Sequence, residues 1–257
     1  MYALTDWQLV RIHGRDPQAL LQGQITADVR AIEDGQGTSG ALCTPKGRMV
    51  ANFGIGRLGE DFYLSVPRDR VDALTAALTK YLPFFGCEVA PLDWTGSGDV
   101  KPREASLCLS IGNGLYEHWS ADGSEGQTGW AGLRIERNLP WVTAMTDQAF
   151  TPQQLNLAST GAVSFTKGCY TGQEVVARTE HLGKVKKFAH LVDVHGGAAG
   201  DLTVDGRKVG TLCHVDGTLG IAVLDPELRA AECPGGRIEN PRLPYPITSP
   251  IKRRSSE

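Results

Sequence analysis

One run of eight residues stands out for the chemistry it could do: Lys167-Gly168-Cys169-Tyr170-Thr171-Gly172-Gln173-Glu174. A cysteine attacks, coordinates or changes redox state as its thiolate, and two neighbours here favour that form. Thr171 and Glu174 have the spacing of a capping box, in which the hydroxyl serves the backbone of the third helical residue and the carboxylate reaches back to the cap. That spacing predicts a helix beginning at Gly172, carrying Val175, Val176 and Arg178, and ending near Glu180 with Gly183 as its stop. Cys169 then lies beside the positive end of the helix dipole and two residues after Lys167, and both influences stabilise a thiolate. Gly168 and Gly172 leave room for the close approach of a ligand or a second stretch of backbone. The plainer alternative is a tight turn in which the thiol packs and the glycines serve chain geometry.

The other five cysteines, Cys43, Cys87, Cys108, Cys213 and Cys233, are scattered, with no pair at the spacing of zinc or cluster ligands. They read as buried thiols, and no metal site is expected. The 257 residues carry 26 basic and 29 acidic side chains, a net charge of −3, which gives no general attraction to nucleic acid or to an anionic membrane. No apolar run nears the roughly 20 residues of a membrane-spanning helix. The first ten residues lack the pattern of a secretory leader, which makes the cytoplasm the expected compartment.

The elements that must position the eight-residue run can be read from periodicity and turn chemistry. Trp7 to Ile12 alternates as a half-buried strand, and Asp16 followed by Pro17 predicts a capped helix from Pro17 to about Gln24. A glycine turn is expected over Gly35 to Gly40. A hairpin from Ala41 to Phe53, turning at Pro45-Lys46-Gly47, follows it, and then a strand from Asp61 to Val66. Val71, Leu74, Leu78 and Leu82 mark one amphipathic helix stopped by Pro83. Between Pro91 and Gln127 glycines leave a single expected strand, Ser106 to Ile111. Thr151-Pro152 opens a further helix over Gln153 to Leu157. Short strands at Leu191 to Val194, Leu202 to Val204, Lys208 to Val215 and Leu219 to Leu224, with a hairpin turn at Asp205-Gly206, indicate an antiparallel β domain starting near Phe188.

The run from Lys167 to Glu174, continued by Val175-Val176-Ala177-Arg178, resembles the signature of the YgfZ family, a branch of the superfamily that contains the glycine-cleavage T-protein. Further blocks follow in the family's order: Asp6-Trp7, Leu21 to Val29, Cys43 to Met49, Trp130 to Pro140 as a strand and turn, and Phe150 to Leu157. The stretch from Pro91 to Gln127 shows no such match.

The resemblance implies an α+β fold of three domains in a ring, with ferredoxin-like domains and a C-terminal antiparallel β barrel. Residues 1–40 with 130–187 would form a discontinuous first, folate-binding domain, 41–129 a second α+β domain, 188–250 the barrel, and 251–257 a frayed tail. It implies tetrahydrofolate or a one-carbon derivative as cofactor. Trp7 and Trp130 would flank the pterin, and Gly172, Gln173 and Glu174 would lie at the site. Lys46, Arg48 and Arg178, with His181, Lys184, Lys186 and Lys187, would meet the glutamate carboxylates. Cys169, assisted by Lys167, would be the functional thiol. The implied role is assembly or repair of iron–sulfur clusters, with iron–sulfur proteins or cluster-assembly factors as partners and tRNA-modifying enzymes among those served. The alternative is a folate-dependent aminomethyl transferase. The T-protein's aspartate has no carboxylate counterpart in Gly126 to Gly129, which disfavours that reaction unless another acid such as Glu136 serves. A direct nucleic-acid role and a scaffold without folate are weaker readings.

Overall fold

The computed structural model describes residues 1–123, 126–183 and 185–247; Lys184 and the tail 251–257 lie outside them. The chain divides into two units. The first comprises Met1–Trp130, Trp141–Phe150 and Thr160–Val175, the second Ala131–Pro140, Thr151–Ser159 and Val176–Glu257.

In the first unit, β1 (Tyr2–Ala3), β2 (Trp7–Gly14), β3 (Gln36–Cys43), β4 (Met49–Leu58), β5 (Asp61–Pro67), β6 (Cys87–Leu92), β7 (Thr95–Asp99), β8 (Leu107–Gly112) and β9 (Leu115–Ser120) form one sheet. Their order is β1-β7-β9-β8-β3-β4-β5-β2-β6, and β3 with β8 is the parallel pair in an otherwise antiparallel arrangement. The expected boundary after residue 40 falls inside β3. Helix α1 (Pro17–Gln22) starts as anticipated, with the Asp16 carboxylate accepting from the Ala19 amide at 2.9 Å. Helix α2 (Val71–Thr79) drives Leu74 and Leu78, both fully buried, into a core with Val10, Ile12, Leu64 and Val66. Each such leucine contributes about 2 kcal/mol.

Several expectations change here. The single helix ending at Pro83 is two helices, because Pro83 sits in the first turn of α3 (Leu82–Phe85), where its missing N–H costs nothing. The expected turn over Gly35 to Gly40 is mostly strand β3. Leu109 lies across the sheet there, so a Cβ at Gly37 or Gly56 would come within 2.4 or 2.5 Å of its Cδ2. Among the described residues between Pro91 and Gln127 there are three strands, β7, β8 and β9, instead of one.

In the second unit, α4 (Trp130–Glu136) is a helix where a strand was expected; its first residue, Trp130, belongs to the first unit. Residues 152–159 form hydrogen-bonded turns instead of a helix, and Asn156 at φ +61° takes the left-handed conformation that a right-handed helix cannot contain. The Asn156 and Asn138 side chains both donate to the Ala189 carbonyl, at 2.8 and 3.1 Å, which holds these turns to the start of β10. Helix α5 (Gln173–Leu182) begins in the first unit, and from Val176 onward it belongs to the second. The strands β10 (Phe188–Gly196), β11 (Gly200–Val204), β12 (Arg207–Asp216), β13 (Leu219–Leu224), β14 (Ala230–Cys233) and β15 (Gly236–Arg242) close into an antiparallel barrel, β10-β13-β12-β11-β14-β15. Its core includes Val192, Leu202, Leu212 and Ile238. The fold is therefore α+β with a C-terminal antiparallel barrel, as the sequence implied, with two more barrel strands than its patterning revealed.

The β11–β12 turn has Asp205 at φ +50° and Gly206 at φ +70°, the pair of left-handed residues that matches a hairpin's twist. Asp205→Ala is expected to cost about 1 kcal/mol, since alanine tolerates that conformation less well than aspartate. Urea denaturation checks it; no loss would mean that the turn is not held as described. Among the described residues no helix is long and apolar enough to cross a membrane.

Candidate functional site

The segment carrying Cys169 is anchored along residues Gly23 to Ala27 of the first unit. The Ser164 amide donates to the Thr26 carbonyl at 2.9 Å, and the Thr171 amide to the Gly23 carbonyl at 3.1 Å. Thr26 is itself fixed, its hydroxyl donating to the Ala162 carbonyl at 2.7 Å and accepting from the Ala41 amide at 2.8 Å. Between these ties Lys167 turns inward. It is 7% exposed, and its ammonium donates to the carbonyls of Ile25 at 2.9 Å and Ala27 at 2.6 Å. The ammonium also stands 5.3 Å from the centre of the buried Tyr170 ring. Burial lowers this lysine to about 8, opposed by the nearby Asp28 carboxylate.

This corrects the expected role of Lys167. Its charge is held by two main-chain carbonyls, so it serves as an anchor for the loop and not as a counter-ion for the thiol. Thr171, expected to cap the helix, points its hydroxyl at Gln24 Oε1, 2.8 Å away. Cys169 is left exposed at the crest, next to Gly168, around whose missing Cβ there is no heavy atom within 4 Å.

The far end of the loop rests on the β3–β4 turn, closed by a 2.9 Å hydrogen bond from the Gly47 amide to the Thr44 carbonyl. Gly172, at φ +86°, lies so close to this turn that a Cβ would sit 2.5 Å from the Thr44 carbonyl oxygen and 3.2 Å from the Cys43 Cβ. Its requirement for glycine is thus met by the protein's own backbone. Burial pushes the Cys43 thiol up to about 12, so it lines the interior as an uncharged group.

The remaining expected site residues are spread out. Lys46 and Arg48 are exposed on the β3–β4 turn, where Arg48 also donates to the Ala149 carbonyl at 2.7 Å. Gln173 is half-buried and Glu174 exposed in the first turn of α5. In the second unit Arg178, His181 and Lys186 are exposed, Lys187 is half-buried, and Glu136 is exposed at the end of α4. Both tryptophans belong to the interior of the first unit. Trp7 is 3% exposed and packs on Trp141 with ring centres 5.5 Å apart; Trp130 is 2% exposed and donates to the buried Glu117 at 3.3 Å. Neither has an open face to stack on a pterin, so that part of the expected cofactor site does not fit. Within the first unit, the exposed Lys46 and Arg48 supply two cations of the kind that a carboxylated tail needs.

Sequence reasoning missed a cleft of about 430 Å³ in the first unit, with Gln24, Asp147, Gln148 and Thr171 among its lining residues. Its volume lies in the range of small-molecule sites, about 300–1,000 Å³. The unassigned signal was the run Ala73, Ala76, Ala77, Lys80, Tyr81, whose helical spacing puts small residues and one polar end on a single face.

No family model matches the chain. It is 31% identical over 244 residues to an uncharacterized protein of Haemophilus influenzae, covering 86% of this chain and 87% of the relative. It is 29% identical over 282 aligned residues to proteins named tRNA-modifying protein YgfZ in Yersinia pseudotuberculosis and Yersinia pestis, covering 90% of this chain and 86% of each relative. In structure it is similar to the glycine cleavage system aminomethyltransferase T of Bartonella henselae, with a TM-score of 0.68 at 13% identity over 98% of this chain and 87% of that one. With its signature run mounted on this fold and relatives that share most of its length, the chain belongs to the YgfZ-type family and has the fold of the glycine-cleavage aminomethyltransferase T.

Proposed function

We propose that the protein binds tetrahydrofolate or a one-carbon derivative and supports the assembly or repair of iron–sulfur proteins, among them tRNA-modifying enzymes. The observation that carries this reading is the exposed Cys169 thiol on a loop that the rest of the first unit holds in place through Lys167, Thr171 and Gly172. A thiol that served packing would be buried, as Cys43, Cys87, Cys213 and Cys233 are. The names of the Yersinia relatives support the link to tRNA modification, and the aminomethyltransferase fold supports the folate. Lys46 and Arg48 would hold the glutamate carboxylates, with the pterin walled by groups other than Trp7 and Trp130. Bound folate would supply one-carbon and reducing chemistry; the chain's own contribution is the thiol.

The test pairs complementation with a titration. In a strain lacking the gene, Cys169→Ser is expected to restore the activity of an iron–sulfur tRNA-modifying enzyme at least about tenfold less well than wild type, while both purified proteins bind tetrahydrofolate alike. Full rescue by Cys169→Ser would remove the thiol from the function, and a flat titration would remove the folate. Aminomethyl transfer through Glu136 has only the likeness of fold and the exposure of that carboxylate behind it.

A further inference from the structure

The cleft in the first unit has two apolar walls and a polar end, and Asp147 and Gln148 also line it. Ala73, Ala76 and Ala77 of α2 face it from one side, and Leu42, Cys43 and Val50 of the sheet from the other. With its thiol uncharged, Cys43 adds to the apolar wall. The polar end is built by Gln24, Lys80, Tyr81 and Thr171. Lys80 is exposed, and its ammonium lies 4.8 Å from the centre of the Tyr81 ring. Burial would raise the Tyr81 phenol, but hydrogen bonding to Thr171 and Lys80 brings it below its ordinary value. Gln24 accepts from the Thr171 hydroxyl through Oε1, which leaves its NH2 donors for other partners.

The charges along the cleft fix the class of ligand. Asp147, also in the lining, is already paired with the buried guanidinium of Arg70. Lys80 is the one cation among the described lining residues and has no paired carboxylate, and it is flanked by the two neutral N–H donors of the Gln24 amide. One positive charge with two neutral donors matches a single carboxylate, and the alanine-lined walls match a short apolar body.

We propose that this cleft binds a small monocarboxylic acid, with its carboxylate between Lys80 and the Gln24 amide and its apolar part between the Ala73–Ala77 face of α2 and Leu42 and Val50. Thr171 belongs both to this end of the cleft and to the Cys169 loop, so the occupant steadies the segment that presents the thiol. The site stands whether or not the protein holds a folate.

Butanoate titrated into the full-length protein, followed by NMR of alanine methyl groups, tests this. Saturable shifts at Ala73, Ala76 and Ala77 are expected, together with slower alkylation of Cys169. Lys80→Met, a change at an exposed position, should weaken butanoate about fivefold, the effect of losing one partly exposed charge pair. Ala77→Leu, which fills the cleft, should abolish the shifts. Butylamine should give none, and the dianionic p-aminobenzoylglutamate should bind more weakly than butanoate. The proposal is overturned if butanoate moves no cleft methyl, if butylamine binds as well, if p-aminobenzoylglutamate binds more tightly, or if either substitution leaves the titration unchanged.

Discussion

Gly172→Ala is expected to destabilise the protein by about 3 kcal/mol, whereas Gly168→Ala, four residues earlier in the same run, should change stability by less than about 0.5 kcal/mol. At φ +86° an alanine at position 172 pays the left-handed penalty of about 1 kcal/mol. Its Cβ would also meet the Thr44 carbonyl oxygen at 2.5 Å, with the Gly47 Cα at 3.3 Å, and these neighbours are backbone atoms that cannot turn aside as a side chain would. The β3–β4 turn or the loop must move, which adds an overpacking cost of about 2 kcal/mol. At position 168 no heavy atom lies within 4 Å of the missing Cβ, and φ is outside the left-handed region. For a chain of this size the first variant should lose roughly 10 °C in Tm and the second almost nothing. The alkylation rate of Cys169 should follow the same division, because displacement at Gly172 loosens the crest and a methyl group at Gly168 does not. Equal losses in Tm would mean that the loop does not rest on the turn.

The pair also marks how far the sequence could be read. Gly168 and Gly172 look alike there, and the Lys167-to-Glu174 run supplies only a general reason for glycine. Which of them is required depends on the β3–β4 turn more than 120 residues away in the chain, a contact that no local pattern encodes. Strands such as β2 and the capped α1 were legible because their signals are local: alternation, and a carboxylate before a proline. The segment Trp130 to Glu136 misled because seven residues with apolar positions at 130, 133 and 135 satisfy helix and strand periods about equally well. The glycines at 96 and 98 read as breaks, yet both lie in β7. A Cβ at Gly96 would sit 2.7 Å from the Trp119 ring and one at Gly98 2.3 Å from the Trp130 ring, so these glycines are there to let indoles cover the strand. Lys167 misled in the same way, since closeness in sequence to Cys169 suggested a shared charge, while the fold directs the side chain to the carbonyls of Ile25 and Ala27.

That inward lysine carries the second large effect. Lys167→Met keeps the length of the side chain and removes the buried charge, but it leaves two carbonyls without their donor. An orphaned buried acceptor costs about 1–3 kcal/mol. Relief from burying a charge offsets part of that, and a net loss of about 2 kcal/mol at pH 7 is expected. The pH dependence separates the two contributions. In the folded protein Lys167 titrates near 8, against an ordinary value of 10.5, so between those limits the unfolded chain binds more protons and the stability of the wild type rises with pH. Below pH 8 the penalty for charging the buried amine is present in full; above 10.5 it is gone, and the neutral amine still has two N–H bonds for the two carbonyls. Methionine has no such titration. The gap between wild type and Lys167→Met should therefore widen from pH 7 to pH 9.5 in matched urea denaturation curves, even though both proteins lose or gain stability together through their other groups. A gap that stays constant or narrows would show that the Lys167 ammonium is not desolvated, and with it the assignment of this residue as the anchor of the Cys169 loop would fall.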